Sequence, residues 1–345
     1  MDVFEATVTI EKKDASEFSD EEFNDIRSLI AKKAYENSEY EYMKYIAASA
    51  KMSNKNKRIN LSINLGYKID DINAKEINEK IFQKYVDDIK QQIPSQYNVD
   101  KTIFDKQCPK ILYKYCSFSA TTICNLLREQ IYFNSFHEFN DPFEFPDVIS
   151  SKCDKIEDAG IACFTSKPDN ILMWSHYADY HAGMCIGYDR EKLKDIGWRD
   201  RISKEEPANG TNEDCISAEL FKAIYVESYP ISLGHEYKDD CITVCSKYSD
   251  WSYEDEYRLV SLRAIKRPLT HARKAVKEIY LGTRFFEKLV NSKDEENRKN
   301  RLKGLIKFLE INNEVKLMKM EPAKDKYALC STDMNIDSLK EYLYK

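Results

Sequence analysis

The sequence predicts an α+β protein: a mixed, bent β-sheet with flanking helices, preceded by a small α+β module. Three observations carry this. Apolar residues alternate strictly in Ile59, Leu61, Ile63 and Leu65, as in a half-buried strand. They recur at helical spacing in Ile77, Ile81, Tyr85 and Ile89. From Ile111 onward, strand-like and helix-like runs interleave without any internal repeat.

In chain order, residues 3–10 alternate (Ala6, Val8, Ile10) and form a strand, and Ser19 with Glu22 makes a capping box for a helix carrying Phe23, Ile26 and Ile30. A second helix is expected over about Glu39–Ala50, the strand Ile59–Leu65 follows, and Asn73 with Glu76 caps the next helix. This gives an accessory module over residues 1–100, one that selects a partner or regulates access. The polar stretch from Pro94 to Pro109 reads as a linker, set at 101–110, leading to a main domain over 111–345.

The main domain opens with strand Ile111–Tyr115, a Ser119-capped helix and a strand from Ile131 that runs into the turn Asn140-Asp141-Pro142. Ile161–Phe164 is a strand, Met173–Tyr180 a helix and Met184–Tyr188 a strand, with Trp174, Tyr177 and Tyr180 reading first as an aromatic helix face. Residues 200–214 form a charged loop, Ala223–Val226 a strand and Asp239–Lys247 a helix. The stretch Trp251–Val260 runs into a strand in which period two puts Glu254, Glu256 and Arg258 on one face. Strand Val276–Leu281, helix Asp294–Glu310, strand Val315–Met320 and helix Ile336–Tyr344 close the chain.

Composition narrows the function. A chain of 345 residues with 42% hydrophobic content buries a substantial core, and it has neither a membrane-length apolar run nor a signal-peptide pattern at its start, so a cytoplasmic protein is expected. Its net charge of −6 argues against a phosphate-coating surface. The ten cysteines contain no Cys-x-x-Cys and read as reduced core residues. Nine glycines include no Gly-x-Gly, which excludes the dinucleotide fingerprint. His176 and His181 are five apart, off the i, i+4 spacing that puts two imidazoles on one helix face, so no metal site is expected; His176 is expected to pack on Trp174. No cysteine stands in an electropositive setting that would activate it.

Four blocks lie in order: Leu112-Tyr113-Lys114-Tyr115; Phe139-Asn140-Asp141-Pro142-Phe143-Glu144; Met173-Trp174-Ser175-His176-Tyr177-Ala178 with His181 and Gly183; and Trp251-x-Tyr253-Glu254-x-Glu256-Tyr257-Arg258. In them the chain resembles the bacterial domain of unknown function 2971 family over about Ile111–Met320. The order of parts is also similar to the ADP-ribosyltransferase fold. That second resemblance implies NAD as substrate, Glu256 as catalytic carboxylate and Glu254 as its partner. It also implies cofactor contacts from Lys114, Tyr115, Thr165, Ser166, Trp174, Tyr177 and Arg258, a macromolecular acceptor, and a role as a bacterial toxin or antiviral defence effector. Cleaving the nicotinamide–ribose bond builds positive charge on the ribose, which a fixed carboxylate stabilises. Two alternatives remain beside it: an NAD glycohydrolase, and a non-catalytic nucleotide- or protein-binding module using the same cleft. Glutamates free in the cleft favour an enzyme, whereas glutamates tied to Arg258 or Arg263 favour a structural role.

Overall fold

The computed structural model describes residues 2–36, 43–53, 55, 57–67, 74–93, 95–104, 109–144, 159–193, 197–198, 216–226, 244–261, 264–291 and 294–343. The chain forms two compact units. One comprises Met1–Cys108, Phe139–Ile156 and Phe221–Ser252; the other comprises Pro109–Glu138, Glu157–Leu220 and Tyr253–Lys345.

The first unit begins with β1 (Asp2–Lys12), α1 (Asp20–Glu36), β2 (Met43–Ser53), β3 (Arg58–Tyr67), α2 (Ala74–Gln92) and β4 (Tyr97–Phe104). The strand order β2-β3-β1-β4, antiparallel throughout, is the split βαβ arrangement of ferredoxin-like folds. The capping box opens α1: the Ser19 amide donates to Glu22 Oε2 (2.8 Å) and the Glu22 amide to Ser19 Oγ (3.2 Å). Ile10 and Ile59, opposite each other in register, are fully buried. Ile26 of α1 and Tyr85, Val86 and Ile89 of α2 are buried too, so the apolar faces of both helices contribute core.

Two expectations are corrected here. The stretch Glu39–Ala50, expected as helix, is strand from Met43, because a full antiparallel ladder with β3 overrides the helix propensity of its alanines. The expected linker Pro94–Pro109 contains β4, an eight-residue strand paired to β1.

The second unit opens with β5 (Ile111–Cys116), α3 (Ala120–Leu127) and β6 (Gln130–Ser135), then β7 (Gly160–Thr165), α4 (Ile171–Tyr177) and β8 (Met184–Asp189). Two-residue strands β9 (Gly197–Trp198) and β10 (Ile216–Ser217) follow, and the chain crosses between units within β11 (Glu219–Lys222). In the first unit β12 (Ile224–Val226) pairs in parallel with β13 (Ser246–Tyr248). Back in the second unit come β14 (Glu256–Ser261), β15 (Arg267–Thr270), β16 (Val276–Leu281), α5 (Phe285–Val290), α6 (Glu295–Ile311), β17 (Lys316–Pro322), β18 (Leu329–Asp333) and the short helix α7 (Ile336–Lys340).

β5–β11 and β14–β18 build one large mixed sheet with flanking helices, in which β16 runs parallel to β17 and the other described registers are antiparallel. β7 forks it. One edge of β7 pairs along its whole length with β14, while the other meets β6 at Gly160–Ile161 and β5 at Thr165. One face is apolar core: Leu112, Phe164, Ile186, Leu259, Ile279 and Leu281 are all at most 2% exposed and occupy alternate strand positions.

The strand expected to carry Glu254 starts later. Ser249–Glu254 is a 3-10 helix and Asp255 has φ +42°, a left-handed corner, so Glu254 is out of period with Glu256 and Arg258. The expected helix Asp239–Lys247 lies mostly outside the described residues, and its last two residues are strand β13. The charged loop 200–214 lies outside them entirely.

Candidate functional site

The other face of the large sheet carries a polar row beside an apolar cluster that includes Cys185 and Met320. Register places Glu256 of β14 opposite Thr165 of β7, Thr165 opposite Tyr113 of β5, Tyr113 opposite Gly187 of β8, Gly187 opposite Glu278 of β16, and Glu278 opposite Lys316 of β17. Residues directly opposite across neighbouring strands share a face, so one row crosses six strands. Adjacent strands are ~4.8 Å apart, which puts Glu256 roughly 10 Å from Tyr113 and roughly 19 Å from Glu278. Burial is graded along it: Thr165 and Glu256 are buried, Tyr113 and Glu278 half-buried, and Lys316 exposed.

At the buried end Glu256 meets Arg258, two residues on and therefore on the same face. Arg258 Nε donates to Glu256 Oε1 (3.0 Å) and Nη2 to Oε2 (2.9 Å). The side chains are 0% and 3% exposed. Two parallel charge-assisted bonds are the geometry that best compensates the desolvation of both ions.

The segment from Ser166 into α4 is pinned by polar side chains. Ser166 Oγ bonds the Asp255 carboxylate. Tyr115 donates its hydroxyl to the Lys167 carbonyl (3.0 Å) and accepts from the Asn170 amide (3.2 Å). Asn170 caps α4, its Oδ1 accepting from the amides of Leu172 and Met173, while its Nδ2 donates to the Tyr253 carbonyl at 2.7 Å. Trp174, with no exposed surface, packs edge-on to Tyr115 and donates Nε1–H to the Pro168 carbonyl (2.8 Å). Tyr177 donates to Glu254 Oε1 at 2.8 Å.

After α4 three consecutive residues are left-handed: Asp179 (φ 51°), Tyr180 (φ 53°) and His181 (φ 68°). Each such residue costs ~1–2 kcal/mol, and bonds of the following turn offset it. The amides of His181 and Gly183 donate to the carbonyls of Trp174 (3.1 Å) and Ala178 (2.7 Å), and the Arg284 amide donates to the His181 carbonyl (2.9 Å). A Cβ on Gly282 would lie 2.1 Å from that His181 oxygen, a backbone atom that cannot swing aside. Gly282→Ala is therefore expected to lower stability at the upper end of the ~1–3 kcal/mol typical of overpacking. Urea unfolding measures it; an unchanged midpoint would show that the turn yields freely.

His181, and not His176 as expected, stacks on Trp174, at 6.4 Å and 17° between planes. His176 instead meets Tyr177 edge-on, and Tyr180 lies past the helix end, 73% exposed, so the aromatic residues do not form one buried helix face. His181 Nε2 is 2.9 Å from Ser175 Oγ, whose own proton goes to the Ile171 carbonyl. Burial, then the nearby Arg284 charge, holds the His181 imidazole below its ordinary pKa. Burial also lowers His271, whose Nδ1 bonds the Ala272 carbonyl while its buried Nε2 has no partner among the described residues.

The sign follows from proton uptake. Below about pH 6.5 the unfolded chain takes up protons that these two folded histidines refuse, so stability falls with decreasing pH and is level above that value. Melting temperatures from pH 7.5 to 5 are expected to show this fall, and His271→Gln to flatten it; an unchanged slope in the variant would remove His271 as a cause.

Of the residues singled out from sequence, Glu256, Arg258, Thr165 and Tyr115 share the polar face. Trp174 and Tyr177 stand on the helix that packs over Tyr115. Lys114 points the other way, its Nζ on the Cys163 carbonyl (3.2 Å) and 5.5 Å from the centre of the Phe164 ring. The thiols of Cys163 and Cys185 are pushed well up by burial and that of Cys116 to about 12, which leaves all three protonated at neutral pH.

Sequence reasoning missed a cluster at the open end. The hydroxyls of Tyr113 (3.0 Å) and Tyr280 (2.9 Å) both donate to Glu278 Oε2, and their rings meet edge-on at 6.0 Å. Burial, reinforced by the carboxylate, pushes both phenols up. The only sequence signal was period two, which pairs Tyr113 with Tyr115 and Glu278 with Tyr280.

No described helix is long and apolar enough to cross a membrane. No curated protein matches the chain. Among solved structures, the solution structure of a de novo designed protein with a ferredoxin fold matches at 13% identity, covering 31% of this chain and 88% of that one. At a TM-score of 0.21 that likeness carries no argument. Residues 173–259, from α4 through Leu259 of β14, match the family described as protein of unknown function (DUF2971).

Proposed function

We propose that the polar face binds NAD and that Glu256 promotes cleavage of its nicotinamide–ribose bond, with ADP-ribose passing to a macromolecular acceptor. The observation that supports this is the register itself: Tyr113, Thr165 and Glu256, from three strands distant in sequence, lie side by side on one face. A carboxylate at Glu256 would stabilise positive charge developing at the ribose carbon. Arg258, by gripping both carboxylate oxygens, would keep it ionised and fixed before the reaction starts. Thr165 supplies a hydroxyl for ribose or phosphate oxygens, Ser166 is held to Asp255 beside it, and Tyr113 and Tyr177 keep partly exposed rings for the nicotinamide. Trp174 and Tyr115 act in this reading by holding the 166–170 segment, since their polar atoms are already bonded.

A second reading is favoured by one specific observation: Glu256 is bonded to Arg258 and Glu254 to Tyr177, so both glutamates have structural work. On that reading the same face is a non-catalytic nucleotide- or protein-binding surface. Incubation with NAD followed by mass spectrometry separates the two. Nicotinamide with an ADP-ribosylated acceptor supports transfer, nicotinamide with free ADP-ribose supports a glycohydrolase, and intact NAD supports the binding module.

A further inference from the structure

Glu278 is a carboxylate whose two oxygens are treated very differently. Oε2 takes both tyrosine hydroxyls, at 3.0 and 2.9 Å, whereas among the described residues Oε1 has only Lys316 Nζ at 4.0 Å, beyond hydrogen-bond distance. The tyrosines are neutral donors and hold the carboxylate in place without cancelling its charge. Lys316 is 72% exposed on a flexible stem, so it neutralises that charge weakly. Glu278 keeps 17% exposure, and the strand between β5 and β16 carries Gly187, over which the Tyr113 ring lies to reach Glu278. A Cβ there would sit 3.0 Å from the Tyr113 ring and 3.3 Å from Glu278 Cβ. A fixed, half-buried carboxylate with one oxygen beyond hydrogen-bond distance of any described donor is an acceptor for an organic cation.

We propose that Tyr113, Glu278 and Tyr280 form a recognition site for a primary ammonium group, which donates to Glu278 Oε1 and takes the place Lys316 approaches. A compact ammonium fits one free oxygen better than a guanidinium, whose fork asks for both. Its carboxylate stands at the open end of the row, roughly four strand spacings (~19 Å) from Glu256; Tyr113 is shared with the NAD reading, but binding of an ammonium at Glu278 does not depend on it.

The test is titration of the whole chain with n-butylamine, followed by ligand-observed NMR, with neutral butyramide as control. The expected result is saturable binding of the amine and none of the amide. Glu278→Gln, which keeps an acceptor for the tyrosines but loses the charge, should weaken binding about tenfold or more. Lys316→Ala, which removes the internal competitor, should tighten it about two- to fivefold. Equal affinity in wild type and Glu278→Gln, or saturable binding of butyramide, overturns the proposal, as does absence of amine binding by a wild-type chain that melts cooperatively. Should Glu278→Gln melt early, the Lys316→Ala arm decides, since that exposed residue leaves the fold intact. No NAD is present, so failure here and failure of NAD cleavage are read independently.

Discussion

Replacing Arg258 by methionine is expected to destabilise the chain by about 3–5 kcal/mol, because it leaves the Glu256 carboxylate buried without its counter-ion. Methionine matches much of the arginine's length and apolar bulk, so the loss measures charge compensation more than a cavity. Adding Glu256→Gln to that variant should recover part of the loss, since a neutral amide is far cheaper to bury than an unpaired anion. Urea unfolding of the four chains forms the cycle. A loss in Arg258→Met below about 1 kcal/mol, comparable to an exposed pair, would contradict the buried pairing.

Glu256→Gln on its own is expected to reduce nicotinamide release by a factor of ~10²–10³ while NAD binding largely survives. The amide oxygen still accepts one bond from Arg258, but the buried guanidinium loses its counter-charge, so a lower melting temperature is expected beside the loss of the negative charge that the NAD reading places at the ribose. Glu254→Gln should act differently, harming transfer to an acceptor more than NAD hydrolysis, as expected of a base acting on the acceptor. Its carboxylate is oriented by the Tyr177 hydroxyl and set one left-handed corner before β14. If both variants keep wild-type rates and lose only stability, Glu254 and Glu256 are structural and the binding-module reading stands.

Much of the sheet was legible because its strands announce themselves by local pattern. The strands at Ile111, Ile161, Met184 and Val276 lie where alternation and turn residues place them. Which strands would adjoin is not written in local pattern; β7 pairs with both β14 and β5, and that long-range pairing brings Glu256, Thr165 and Tyr113 into one row. The failures have local causes. The alanines of 47–50 favour helix in isolation and are strand only because β3 lies alongside. Glu254 looked in phase with Glu256 because nothing in the letters marks Asp255 as a left-handed corner. Residue type also carries no exposure: Trp174 and Tyr115 have rings suited to stacking, yet their polar atoms are spent on Pro168, Lys167 and Asn170. The Tyr113–Glu278 bond joins residues 165 positions apart, a separation at which period two gives a face but no partner.

The most direct measurement is release of labelled nicotinamide from NAD by the purified chain, with Glu256→Gln run in parallel and both confirmed folded by thermal melting. Release that scales with protein and falls ~10²–10³-fold in the variant is the expected result. A folded wild-type chain that leaves NAD intact, or a variant that releases nicotinamide as fast as wild type, contradicts the assignment of Glu256 and of the face that carries it.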